Sequence, residues 1–237
     1  MSTVVPLSAR RHAGLRLSFL PGGGAMRYAL LGLSELPLAV ADFPVCLAKD
    51  GQTGRFDLIA LLSLTEPRNL FRINEQWQST YLPEAARLAQ FRLSAQSEVG
   101  LAVDEASDGW ANDGEPLFVG GRPGAALAAV RPALEALVAD VEAARAMIER
   151  FAELDLIRQM TVVLGRGDGE EALEGVYTLD PEGLATLADA DVLDLYRRGF
   201  LAAASLMSAS LAQVERLRQL HNATSSVPFD RAEVDLA

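Results

Sequence analysis

The strongest constraint on the fold is a seam of small and apolar side chains: Val130, Leu134, Leu137, Val141, Ala144, Ile148 and Phe151, alternately four and three residues apart. Only a helix stacks residues at that spacing on one face, so the spacing predicts a long helix over about 132–155 laid along a partner. Pro132 lacks the N–H that a helix interior needs, and the helix is expected to begin there. A second series, Leu193, Tyr196, Phe200, Ala203, Met207, Ser210, Val214 and Leu217, predicts another helix over about 190–220. Its middle is rich in Ala and Ser, which lets another backbone come close. The two helices are expected to pack on each other or to cover a sheet.

That sheet is written mostly in the first half of the chain. Val45 to Lys49 and Arg55 to Leu64 read as strands around an Asp50-Gly51 and Gly54 turn, which makes a hairpin. The second strand is apolar on both faces and is expected to be central. Leu15 to Phe19 alternates as a half-buried strand does; Phe91 to Ala95, Val99 to Val103 and Pro116 to Val119 add further strands. Arg158 to Leu164 and Gly175 to Leu179 form a later pair, with Gly165 to Gly169 as a solvent turn. Short helices are expected from Ser34 to about Asp42, from Pro83 to Ala89 and after Asp180, where Pro181 takes the first helical position. The fold class that follows is α+β: a mostly antiparallel sheet, two long packing helices and several short helices. A single domain is expected over 1–237, β-rich over about 15–120 and helix-rich over about 124–222. The tail, 223–237, reads as frayed.

Composition removes whole classes of function. Half of the 237 residues are apolar, enough for a large core, so a disordered scaffold is excluded. The formal net charge is -11, with basic residues scattered along the chain, so neither nucleic acid nor an anionic lipid surface is an expected partner. The N-terminal apolar patch, Leu15 to Leu20, is too short for a secretion signal, and the longest apolar stretch near the C-terminus, Gly199 to Ala212, is too short to cross a bilayer. No membrane insertion and a cytoplasmic location are therefore expected. One cysteine, Cys46, forms no internal disulfide, and two histidines, His12 and His221, are too few for a zinc site; neither a metal nor a cofactor is expected.

Most of the candidate residues have a plainer role. Cys46 lies in an apolar strand with no cation beside it and reads as a buried structural residue. Asp104 to Glu115 places Asp104, Asp108, Gly109 and Glu115 at calcium-loop positions, but Ala106 removes a ligand and Pro116 follows the final carboxylate, so an acidic solvated turn is favoured. The Gly165 to Gly169 loop lacks the Lys-Ser/Thr ending of a phosphate cradle and runs into Glu170 and Glu171. His12 reads as a surface residue and His221 as a late-helix one. Asn69, Trp77, Tyr81 and Arg87 stand apart. Trp and Tyr bury large areas while keeping one polar handle and Arg stacks beside them, a pattern found at binding surfaces and at irregular core anchors alike. These four are the candidate ligand- or partner-binding residues, with anchoring the favoured role; no catalytic residue is identified.

One series of motifs carries a resemblance: Ser34-Glu35-Leu36-Pro37, Phe43-Pro44 through Lys49, Ala60-Leu61-Leu62, Asn69-Leu70-Phe71, Trp77, Tyr81-Leu82-Pro83, Arg87 and Gln90-Phe91. In order and spacing these resemble the SapC family of bacterial proteins, and Gly114 to Phe118, Val176-Tyr177 and Ser210-Leu211 extend the likeness from about Ser34 to Leu217. Gln90 stands where the family usually has proline, and Ser205-Leu206-Met207 where many members have Tyr-Ala-His. The family name derives from a bacterial surface layer and is shared with a peptide-transport permease, which the lack of membrane spans argues against. Relatives are encoded beside TonB-dependent receptors and proteins similar to flavin-dependent tryptophan halogenases. The resemblance thus implies a non-catalytic accessory or binding protein of surface-layer, envelope or uptake systems, with a protein partner such as an envelope receptor or a halogenase-like flavoprotein. It also admits an enzyme, or an obligate enzyme subunit, acting with such a flavoprotein on a small molecule or peptide. A surface or envelope association would follow from the family rather than from any leader.

Overall fold

The computed structural model describes residues 4–18, 23–65, 67–74 and 76–236. The end of the first predicted strand, Phe19, lies outside them. Within these residues the fold is α+β. Six strands form the main antiparallel sheet: β2 (Tyr28–Leu30), β3 (Val45–Lys49), β4 (Phe56–Leu61), β7 (Ile157–Arg166), β8 (Gly169–Leu179) and β9 (Arg231–Leu236), in the order β9-β7-β8-β3-β4-β2. A smaller sheet holds β1 (Val4–Pro6), β6 (Leu101–Asp104) and β5 (Phe91–Leu93), in the order β1-β6-β5.

The β3–β4 hairpin is present with the predicted turn. The Asp50 carboxylate accepts from the N–H groups of Gln52 and Thr53, at 3.0 and 2.7 Å, and Gly54 takes the left-handed conformation at φ +72°. Leu58 to Leu61 are all buried, so both faces of β4 are covered and the strand is interior, as its unbroken apolar run implies.

The long helix α1 runs over Ala125–Glu153. It begins seven residues before Pro132, which is accommodated inside it on an exposed position. The N-terminal half buries Leu127, Val130 and Leu134 against the smaller sheet, and the C-terminal half buries Ala144, Met147, Ile148 and Phe151 against the larger one. Arg145 on α1 bonds the Asp57 carboxylate on β4 at 2.6 Å, holding helix to sheet. Of the predicted seam, Leu137 alone is only half-buried.

The second helical stretch is divided: α2 (Asp189–Arg197), α3 (Phe200–Ser210), a 3-10 turn (Leu211–Gln213) and α4 (Val214–Thr224). The divider is Gly199, at φ +74°. The rotation it introduces turns Leu193 and Tyr196 outward and buries Leu195 in their place. The Ala/Ser-rich helix α3 packs closely on β3: Ser210, fully buried, accepts from the Val45 N–H at 2.9 Å and donates to the Met207 carbonyl at 2.6 Å. Helix α2 is tied to α1 by Arg150, which bonds Asp191 and Asp194 at 2.8 and 2.9 Å.

The tail corrects the frayed reading. Arg231–Leu236 forms the outermost strand of the main sheet, paired with β7 from Met160↔Leu236 to Gly165↔Arg231. Alternation along a single charged strand is a weak signal, and Phe229, buried at the core, supplies the anchor that brings it there. No helix among the described residues is long and apolar enough to cross a membrane.

Candidate functional site

Asn69, Trp77, Tyr81 and Arg87 sit in one region of the chain, but the structure does not converge them on one cavity. The Asn69 amide is buried; its Oδ1 accepts from the Phe71 N–H at 3.0 Å, capping the turn that carries Phe71 into the core. Trp77 stacks on Phe71, ring centres 6.4 Å apart, and its indole N–H donates to the Tyr81 carbonyl at 3.1 Å. Arg87 lies at the surface in an i,i+3 ion pair with Glu84, and the bonds to that carboxylate push its already high pKa further up. Three of the four are thus anchored in local structure, and the fourth pairs within its own short helix.

Tyr81 leads to groups that sequence reasoning missed. Its hydroxyl donates to Glu35 Oε1 at 2.6 Å, and the same oxygen accepts from the Glu84 N–H at 2.9 Å; Glu35 Oε2 accepts from the Gly32 N–H at 2.8 Å. Burial, and then the adjoining Glu35 carboxylate, push the Tyr81 phenol well above its ordinary range, so it keeps its proton at neutral pH. A second buried carboxylate, Asp42, accepts from the N–H groups of Thr80 and Tyr81 at 2.8 and 2.9 Å and from Arg216 Nη1 at 2.5 Å. Arg216 also donates to the Gln78 carbonyl at 2.9 Å and stacks over Phe71. Each buried oxygen is therefore bonded to backbone or to an opposite charge. The available signal was the Glu35 of the Ser-Glu-Leu-Pro motif, an acidic residue in an apolar stretch.

The other candidates resolve as follows. Cys46 is fully buried, and desolvation pushes its thiol up to about 12, far from the range of a nucleophile. The Asp104 to Glu115 loop is more structured than a solvated turn. Trp110 packs edge-on against Phe91, ring centres 5.6 Å apart, and donates to the Asp104 carbonyl; Asp108 pairs with Arg72 and accepts from the Gly23 and Gly24 N–H groups. Glu115 belongs to a short ladder with Leu17. Among the described residues no three His, Cys, Asp or Glu side chains gather as a metal would require. His12 is buried rather than exposed: its ring lies between Ser8 and Glu105, 3.1 Å from the carboxylate, on a helix of a single turn that no apolar periodicity announces.

Beside the block lies a groove of about 850 Å³. It is bounded by Tyr28 and Leu30 on β2, Ala85 and Leu88, Phe91 and Leu93 on β5, Leu137 and Val138 on α1, and the Asp104 to Asp108 turn. The half-buried Leu137 of the helical seam faces this space. The lining is chiefly apolar, and its acids are committed: Asp108 to Arg72, and Asp104 to the turn through the Ala106 N–H. A smaller pocket of about 280 Å³ beyond Leu137 is reached by Tyr81 and Glu84.

A family model described as SapC matches residues 7–217. The chain belongs to the SapC family. No curated protein and no solved structure gives a match. The SapC match contains Asn69, Trp77, Tyr81, Arg87, both buried carboxylates and every side chain that bounds the groove; β1, the end of α4 and β9 lie outside it. Several of the motifs that carried the resemblance, those of Glu35, Asn69 to Phe71, Trp77 and Tyr81, are joined in one network with Asp42.

Proposed function

We propose that this SapC-family chain is a non-catalytic accessory protein that binds a protein partner of bacterial envelope, surface-layer or uptake systems through the apolar groove beside the Trp77 to Arg87 block. One observation carries this reading. The groups in the block able to move a proton are bonded to backbone, to opposite charge or, for the Tyr81 hydroxyl and Glu35, to each other, whereas the broad concavity next to them offers apolar side chains and no uncommitted acid or base suited to catalysis. The partner surface implied by the motifs therefore shifts from Trp77 and Arg87 themselves to the wall they support. Val138 and Leu93 are exposed at this wall, so Val138→Glu and Leu93→Glu should leave the thermal transition within a few degrees of wild type. Affinity purification from the native bacterium should return a partner with the wild type and lose it with either variant. Retention of every partner by both variants would sink the reading.

A further inference from the structure

The groove has a second property, visible only in the backbone. Two strand edges open onto it. In β2 the bonds Leu31 N–H to the Leu58 carbonyl and Leu62 N–H to the Arg27 carbonyl place residues 27, 29 and 31 in the ladder with β4. Tyr28 and Leu30 consequently turn their N–H and C=O groups away from the sheet. In β5 the bonds Asp104 N–H to the Gln90 carbonyl and Ser94 N–H to the Gly100 carbonyl do the same for Leu93. Among the described residues these three outward backbone pairs have no partner, and β2 and β5 each end their sheet.

Edges of this kind are normally defended, and the opposite margin of the main sheet is. There β9 presents Arg231, Glu233 and Asp235. The groove edge carries no charge on Tyr28 or Leu30, and the side chains beside it are apolar and uncovered: Tyr28 is 44 %, Leu93 43 % and Val138 52 % exposed. Unpaired backbone groups and exposed apolar side chains along one trough are the two requirements of a site that adds a strand. An apolar small molecule would satisfy the side chains and leave the backbone bare, and a helix has no backbone groups to offer.

On the accessory-protein reading above, we propose that the partner enters as an extended apolar segment, pairing its backbone with the Tyr28–Leu30 edge and setting alternate side chains against Leu93, Leu137 and Val138. The test is selection of a phage-displayed random octapeptide library on the full chain, with the Val138→Glu chain as counter-selection. Enriched peptides should carry apolar residues at alternate positions. Methylating the backbone nitrogens on the pairing side of the best peptide should weaken binding roughly tenfold or more. Tyr28→Pro removes the outward N–H together with the ring and should weaken it similarly, while Tyr28→Val, which removes the ring alone, should retain most of the affinity. No enrichment over Val138→Glu, a consensus spaced three and four apart, or undiminished binding of the methylated peptide would each overturn the proposal. The last two outcomes, with binding still lost in Val138→Glu, would leave the groove standing as the binding surface and remove only the strand pairing.

Discussion

At the scale of single residues the block is organised by two buried carboxylates rather than by its aromatic side chains. Asp42, itself buried, gathers two backbone N–H groups and Arg216 around one point, and removing it leaves all three half-buried donors without their acceptor. Asp42→Ala should therefore cost about 1–3 kcal/mol in urea unfolding, the scale of a buried carboxylate whose partners are partly reached by solvent. Arg87→Ala removes a surface ion pair and should change stability by less than about 1 kcal/mol. An equal effect of the two would show that the buried network is not the anchor described. Sequence reading reached Trp77 and Tyr81 because large aromatics announce themselves. It missed Asp42 because nothing along the chain distinguishes a carboxylate that closes a fold from one that solvates a turn. Arg216, 174 positions away, is what decides between them.

At the scale of elements, legibility followed locality. The seam of α1 was readable because it is set by contacts three and four residues apart, and the β3–β4 hairpin because its turn chemistry is local. The second series failed at Leu193 and Tyr196, where a continuous helix was assumed and Gly199 intervenes. A Cβ at Gly199 would meet no atom within 4 Å, so the penalty of substitution is confined to the backbone. Gly199→Ala should thus cost about 1 kcal/mol, the price of a left-handed alanine, without loss of helix content by circular dichroism. A neutral effect would mean that the α2–α3 junction straightens, and that the exposed Leu193 and Tyr196 can be recovered for the core.

At the scale of the whole molecule, α1 spans two apolar clusters, and the groove lies on the flank where both sheets present an edge to it. The α+β class was evident from the mixture of periods, but the groove was not, since it depends on which strand ends each sheet. The far edge was misread for the same reason: β9 is held by Phe229 and by pairing with β7, both non-local. Deleting residues 229–237 should uncover the β7 edge and an apolar site in the core. A loss of at least about 3 kcal/mol is expected, together with concentration-dependent association in light scattering. A deletion variant that stayed monomeric and fully stable would show the strand to be ornamental.

The Asp42 to Arg216 closure also sets a clock. A ribosome adding roughly 5–20 residues per second needs on the order of ten to thirty seconds to travel from one to the other. During that interval the Phe43 to Phe91 segment has been made but its closing cation has not. That segment must then remain open, or be sheltered, until α4 emerges to complete it.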